Sequence, residues 1–177
     1  MGRGSPRNLG NSPIDDLVFD CASQLFGAYN VEVQPLARED FPAPERLALC
    51  GVLGFRGKHM NGAIVLACTH EPLEMSNLTD CRRQRDWICE LTNQLMGRVK
   101  NRLFKTGIEI TLGTPAALSG EQLYPIPSRL RAPQVLAAGA GTVCAWIDYE
   151  LTEGFELPSV PPPDAEAMMP EGGMILF

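Results

Sequence analysis

An internal repeat is the feature that most constrains how this chain can fold. The stretch DLVFDCASQLFG (16–27) aligns without a gap with DWICELTNQLMG (86–97). Aspartate, glutamine, leucine and glycine recur at matching positions, as Asp16, Gln24, Leu25 and Gly27 and then as Asp86, Gln94, Leu95 and Gly97. Strand-like segments follow both stretches, so the repeat predicts two copies of one helix-plus-strands unit.

The second stretch has the pattern of an amphipathic helix. At about 100° per residue, one narrow stripe holds Asp86, Glu90, Asn93 and Gly97, and the opposite stripe holds Ile88, Leu91, Leu95 and Val99. The apolar stripe is expected to pack against the protein. The polar stripe is therefore free to contact a partner.

The first unit is predicted to begin with a helix that Ser12 or Asn11 caps, with Pro13 in its first turn, and that runs to about Tyr29. Residues 31–36 alternate as in a strand, and Pro35 favours either a sheet edge or the end of the strand there. Two further strands, 46–55 and 63–69, flank the segment RGKHMNG, which predicts a hairpin turn.

The second unit repeats this order. A connector, 70–79, leads to a helix over 80–105, whose end is marked by Thr106 and Gly107. A short strand is predicted at 108–112, and a pair of strands within 134–151. The segment 124–127 is broken by prolines, and the proline-rich residues 157–177 predict a flexible tail.

Composition and charge limit the class of protein. The net charge of −6 and pI near 4.9 argue against a nucleic-acid surface. No apolar run reaches the roughly 20 residues of a membrane span, and the N-terminus lacks the apolar core of a signal peptide. The six cysteines form no CxxC pair. These features predict a cytoplasmic protein without disulfides or a metal site.

Glu90 and Asn93 are the candidate catalytic pair. The Glu90 carboxylate can pair with a partner's lysine or arginine, and the Asn93 carboxamide can orient a water because it both donates and accepts hydrogen bonds. Gly97, which lacks Cβ, would let a partner approach closely. Arg82 and Lys100 flank the stripe and would suit an acidic pocket. The same residues also fit an ordinary solvated helix face.

With these residues in view, the chain resembles the CheC/CheX/FliY family of chemotaxis phosphatases. The family signature is Asp or Ser, three residues, Glu, two residues, Asn, and a Pro about two dozen residues later. Asp86, Glu90, Asn93 and Pro115 match it, with the last gap one residue shorter than usual. The single complete motif is most similar to the CheX branch.

The resemblance implies an α/β (α+β) fold of two pseudo-repeated units that share a sheet, with long helices packed on it. The expected organisation is a disordered N-terminus (1–12), one domain (13–156, with repeats at about 13–70 and 80–156) and the tail.

The implied activity is hydrolysis of the aspartyl phosphate on a CheY-like response regulator. Glu90 would pair with the regulator's lysine and Asn93 would align the attacking water. Asp86, Gly97, Arg82, Lys100 and Pro115 are the expected partner-binding residues. The Mg²⁺ would belong to the regulator, and no cofactor of the chain's own is expected. Asp20 and Ser23, the counterparts of Glu90 and Asn93, predict a silent first site.

Two alternatives remain open. The same helix face could bind a receiver or a flagellar partner without accelerating hydrolysis, or the shared sheet could mainly build a homodimer, with a strand in 134–151 as the candidate edge. A Ser or Cys triad is not favoured, because His59 and His70 have no nucleophile at a suitable spacing. The glycines of 54–62 do not match a phosphate-binding loop, and His59 is predicted to lie in a turn.

Overall fold

The computed structural model describes residues 12–36, 47–74, 81–121, 123 and 133–158, and the side chains of residues 81 and 82 fall outside that description. Along the chain each long helix is followed by a group of strands, and a short helix lies between the two groups. The helices and strands are α1 (Pro13–Ala28), β1 (Val33–Pro35), β2 (Leu49–Gly57), β3 (Met60–Cys68), α2 (Glu71–Glu74), α3 (Cys81–Lys105), β4 (Ile110–Leu112), β5 (Ala116–Ser119), β6 (Gln134–Ala138) and β7 (Gly141–Leu151).

The strands form one antiparallel sheet in the order β1-β6-β7-β3-β2-β4, and β5 also pairs with β2. The order is symmetric: exchanging β1 with β4, β2 with β6 and β3 with β7 gives the same order read backwards. The edge strand of each unit pairs with a strand of the other unit. The α+β fold predicted from the resemblance, two repeated units sharing one sheet, is confirmed.

The main core lies between the sheet and the two long helices. Alternation along β3 shows this clearly, because Ile64 and Leu66 belong to the core under the helices. Val65 and Ala67, on the opposite face, belong to a smaller cluster that also contains Trp146. Both faces of the central strands are therefore buried.

Local signals in the sequence account for the ends of the helices. Ser12 caps α1, as predicted: its Oγ accepts from the Ile14 N–H, and its own N–H donates to Asp15 Oδ2 at 2.9 Å. A residue with positive φ lies two positions beyond the end of each long helix, Asn30 (59°) after α1 and Gly107 (83°) after α3. The predicted stop at Gly107 is confirmed.

The hairpin between β2 and β3 is tighter than the sequence pattern indicated. Only Lys58 and His59 form the turn, and the ladder continues to the pair Arg56 and Asn61. Gly62 lies within a strand, where a Cβ would collide with the Asp148 carbonyl of β7. That glycine therefore serves close packing of strands and not the turn.

Two further elements differ from the expectation. The strand β5, at residues 116–119, was not anticipated, because a short Ala-Ala-Leu-Ser segment after a proline carries little β-strand signal. The connector contains the short helix α2. The proposed free edge in 134–151 is wrong, since β6 pairs with both β1 and β7, and β7 pairs with both β6 and β3.

The domain limits stay predictions. Residues 1–11, 37–46, 75–80, 122, 124–132 and 159–177 lie outside the described part of the chain. Predictions made for the N-terminus, for 124–127 and for the tail therefore remain as they stand. Among the helices that the structure does describe, none has the length and apolar character needed to cross a bilayer.

Candidate functional site

The predicted polar stripe lies on the outer face of α3. Asp86, Glu90 and Asn93 are exposed, while Gly97 is partly covered. The opposite, buried stripe consists of Ile88, Leu91, Leu95 and Val99, each at most 2% exposed. The amphipathic division read from the sequence is therefore the division in the structure. With a rise of about 1.5 Å per residue, Glu90 and Asn93 stand about one turn apart on the same surface.

A close contact holds α3 on the sheet beneath this pair. Thr92 is fully buried, and its Oγ1 donates to the Ile88 carbonyl at 2.6 Å. Gly51 of β2 lies directly below, where a Cβ would collide with Thr92 Oγ1 and would come within 3.0 Å of the Ile88 oxygen. The missing side chain at Gly51 lets the helix sit close to the strand. Asn93, the next residue, therefore lies on a segment of α3 that is packed firmly against the sheet.

The Glu90 carboxylate is exposed but has a hydrogen-bond partner within the chain. Gln94, one turn further along α3, donates from Nε2 to Glu90 Oε1 at 2.8 Å. Tyr29, at the C-terminal end of α1, donates its hydroxyl to Gln94 Oε1 at 2.9 Å. The ring of Tyr29 also meets the Trp87 ring edge to face, with centroids 5.1 Å apart. These contacts link the end of α1 to the candidate site.

The outer face of α3 continues beyond Gly97. A Cβ at Gly97 would meet no atom of the chain within 4 Å, so the space above it is open to a partner. Lys100 and Phe104 follow on the same side. Together with Ile108, Glu109 and Ile110 they line an open cavity of about 260 Å³. Phe104 is 59% exposed, which is unusual for an aromatic side chain.

Two other predicted partner-binding residues, Pro115 and Arg82, are not seen on the polar stripe. Pro115 is partly buried and comes immediately before β5, a strand that pairs with β2 and contacts α3. It therefore lies at the sheet edge beside the helix, not on the polar stripe. The backbone of Arg82 belongs to the first turn of α3, but its side chain is outside the described part of the structure.

The counterpart residues in the first unit are already engaged or covered. Asp20, which aligns with Glu90, accepts an ion-paired hydrogen bond from Arg102 Nη1 at 3.3 Å. Ser23, which aligns with Asn93, has a buried hydroxyl oxygen. Arg102 belongs to the part of α3 that extends beyond the repeated stretch. The first unit thus lacks an exposed acid-carboxamide pair in this structure.

The thiols offer no activated nucleophile among the described residues. Burial raises the pKa of Cys21 and of Cys50 to about 11 and that of Cys144 to about 12, and it also raises the pKa of Cys68. Cys89 neighbours Glu90, and burial, followed by the charge of Asp86, raises its pKa too. These five cysteines are free and are protonated at neutral pH.

Metal-binding side chains are not gathered in the described part of the chain, where no three His, Cys, Asp or Glu residues could hold one ion. His59 lies in the β2–β3 turn, as predicted, and stacks on Phe155 with ring centroids 4.5 Å apart. The chemistry available at the site is therefore that of a carboxylate and a carboxamide on one helix face.

Sequence reasoning missed three residues around the site. Gln94 was noted as a repeated residue, and its position four residues after Glu90 was a usable signal for a side-chain hydrogen bond. Tyr29 had no such signal, because its contact with Gln94 spans 65 residues of sequence. Phe104 follows the heptad-like spacing of the polar stripe but was not assigned to it.

Comparison with known proteins gives one family model that matches the sequence and solved structures that share the fold. The family model described as "Chemotaxis phosphatase CheX" matches residues 49–137, a range that includes α3 and Pro115. No curated protein sequence gives a significant match.

Solved structures share the fold at low sequence identity. The chemotaxis protein CheX from Vibrio vulnificus superposes with a TM-score of 0.66 at 16% identity, covering 78% of this chain and 100% of that one. A CheC-like superfamily protein from Shewanella sp. PV-4 gives a TM-score of 0.64 at 20% identity, covering 80% and 99%.

A third solved structure is the CheX-CheY-BeF3-Mg²⁺ complex from Borrelia burgdorferi, with a TM-score of 0.54 at 14% identity, covering 76% of this chain and 97% of that one. The family model accounts for half of the sequence and includes the helix that carries the Glu90 and Asn93 pair. This chain belongs to the CheX family of chemotaxis phosphatases.

Proposed function

We propose that this chain removes the phosphoryl group from the aspartyl phosphate of a CheY-like response regulator. The observation that carries the proposal is the face of α3, which presents Glu90 and Asn93 one turn apart, exposed, and beside the open space at Gly97. Membership in a family named for phosphatase activity supports it. So does the relative from Borrelia burgdorferi that was solved as a complex with CheY.

In the proposed reaction the helix face enters the regulator's active site and supplies positioning. Glu90 pairs with the regulator's lysine and sets the register of the two proteins. Asn93 holds a water in line with the phosphorus, which requires geometry and not a strong base. The new bond joins the water oxygen to phosphorus, and the bond to the aspartyl oxygen breaks, returning its electrons to the carboxylate. Phosphate leaves with both protons of the water.

The Mg²⁺ in this scheme is bound by the regulator, so the chain needs no cofactor of its own. Lys100 and the exposed Phe104 extend the contact surface along α3. Only the second unit is proposed to act, because Asp20 is paired with Arg102 and the Ser23 hydroxyl is buried. The alternative, a module that binds receivers without catalysis, is separated from this proposal by rate measurements.

The proposal is tested by phosphate release from phosphorylated CheY-like receivers encoded in the same genome, with Mg²⁺ present. Wild type should accelerate release from its cognate receiver. Glu90→Ala should raise KM about tenfold or more, since it removes a charge pair at the interface. Asp20→Ala is the matched control from the first unit and should leave KM and kcat unchanged. An equal rise in KM in Glu90→Ala and Asp20→Ala would assign the effect to general damage of the fold and contradict the assigned site.

A further inference from the structure

The hydrogen-bond chain from Tyr29 through Gln94 to Glu90 has a direction that chemistry alone fixes. An ionised carboxylate only accepts hydrogen bonds, so the amide nitrogen of Gln94 must face Glu90. The amide oxygen then faces Tyr29, whose hydroxyl donates to it at 2.9 Å. The Tyr29 hydroxyl and the Gln94 amide therefore each donate one hydrogen bond in this arrangement. It occupies Oε1 of Glu90 and leaves Oε2 for a partner's lysine.

Tyr29, the far end of this chain, is held by its own backbone and ring. It caps the C-terminus of α1, where its N–H donates to the Phe26 carbonyl and the N–H of Asn30 donates to the Gly27 carbonyl, each at 3.0 Å. The following residue, Asn30, turns the chain at φ 59°. The ring is partly buried and packs at 79° against Trp87, one turn before Glu90 on α3. The hydroxyl is thus fixed relative to α3.

The arrangement belongs to the second unit only. Gln24, the repeat counterpart of Gln94, is exposed on α1. The position that aligns with Tyr29 is Val99, a fully buried residue of the core with no hydroxyl to donate. The same glutamine therefore recurs in both units, while the tyrosine that orients it is available only to the unit with the exposed acid-carboxamide pair.

We propose that Gln94 and Tyr29 are positioning residues that hold the Glu90 carboxylate in the orientation that receives the regulator's lysine. The proposal rests on the function proposed above and names two further residues of that site. A glutamate at the surface of a helix otherwise samples several rotamers, and fixing it on binding costs conformational entropy. The preformed hydrogen bonds reduce that cost. Their loss should weaken recognition of the receiver more than the chemical step.

The test is a double-mutant cycle between the positioning residues and Glu90. Tyr29→Phe removes one hydroxyl and keeps the ring on Trp87, and Gln94→Met removes the amide while keeping helix propensity. Each should raise KM for the phosphorylated receiver, and Kd for its stable BeF3-bound form, by about three- to tenfold, the scale of the net contribution of one typical hydrogen bond. The value of kcat should stay within about twofold.

In the Glu90→Ala background the same substitutions should have no further effect on KM or Kd. Gln24→Met is the matched control on α1 and should change nothing, and unchanged urea midpoints should show that the fold is intact. Equal effects with and without Glu90 would overturn the positioning role while leaving the phosphatase proposal standing. A wild type that neither binds nor dephosphorylates any receiver would overturn both.

Discussion

At the scale of single residues, the positions of Glu90, Asn93 and Gly97 followed from helical periodicity, because the pattern of burial along a helix depends on local spacing. The hydrogen bond from Tyr29 to Gln94 could not be predicted in this way, since Gln94 is on another helix and 65 residues away. Long-range side-chain contacts depend on how the two helices are placed on the sheet. That placement is a property of the whole fold.

Gly97 allows a prediction with a matched control. Gly97→Ala should raise the free energy of unfolding by about 0.5 to 1 kcal/mol, because alanine has the higher helix propensity and its Cβ meets nothing in the chain. The same substitution should raise KM for the phosphorylated receiver, since a methyl group then occupies the space that the partner enters. Urea unfolding and initial rates measure the two effects.

Gly27→Ala is the control for that substitution, because a Cβ at this repeat counterpart also meets no atom within 4 Å. It should leave KM unchanged and not lower stability. If Gly97→Ala stabilises the chain and leaves KM unchanged as well, the partner does not approach α3 at this position.

At the scale of elements, both long helices, the β2–β3 hairpin and the β6–β7 pair could be predicted from periodicity, caps and turn residues. The strand β5 could not, because its residues lack β-branched side chains and it exists by pairing with Gly51 and its neighbours on β2. Nor could the sequence show that β6 lies inside the sheet, since strand order depends on contacts between the two units.

The contact between α3 and β2 yields the second prediction. Gly51→Ala should destabilise the chain by about 1 to 3 kcal/mol, because the new Cβ would displace the buried Thr92 side chain. Gly54→Ala on the same strand is the control and should change stability by less than about 0.5 kcal/mol, since its Cβ has only an ordinary contact at 3.8 Å. Urea midpoints compare the two.

A second-site change sharpens that test. Adding Thr92→Ala to Gly51→Ala removes the colliding hydroxyl and should recover part of the lost stability. Equal stabilities of Gly51→Ala and Gly54→Ala would show that α3 does not depend on close approach at Gly51.

At the scale of the whole molecule, the symmetric sheet explains how one chain keeps the repeat while its two helix faces differ. The edge strand of each unit pairs with a strand of the other unit, so neither unit can form its part of the sheet alone. The helices are less constrained: α3 extends past the repeated stretch, and its Arg102 pairs with Asp20. The shared framework persists while the two helix faces differ.

The sheet also limits how copies of the chain could associate. Within the described residues, the edges belong to β1 on one side and to β4 and β5 on the other, because β6 and β7 are paired on both sides. A homodimer formed by strand pairing therefore has to use one of those short edges. Light scattering tests whether the chain forms a homodimer at all, and a mass of 19.3 kDa, that of one chain, at all concentrations would remove the homodimer alternative.

The buried thiols are expected to make the folded state less stable as the pH rises above about 9. The Cys144 pKa is about 12 in the folded chain against 9.0 as its ordinary value, so from pH 9 upward the unfolded thiol ionises while the folded one keeps its proton. The unfolded state then binds fewer protons, and stability must fall as pH rises. Cys144→Val should make the fall between pH 9 and pH 10.5 shallower by roughly one kcal/mol per pH unit, measured by urea unfolding. Identical slopes in the variant and wild type would show that Cys144 is not shielded from solvent.

Asn93 is tested most directly by the rate of phosphate release at saturating phosphorylated receiver, compared between wild type and Asn93→Ala. The affinity for the BeF3-bound receiver is measured in parallel. We expect Asn93→Ala to lower kcat by roughly 100-fold, the scale of a lost positioning contact, and to change Kd by less than about threefold. A variant that binds and hydrolyses as well as wild type would contradict the assignment of Asn93. Wild type that binds the receiver without accelerating release would make the chain a binding module and not a phosphatase.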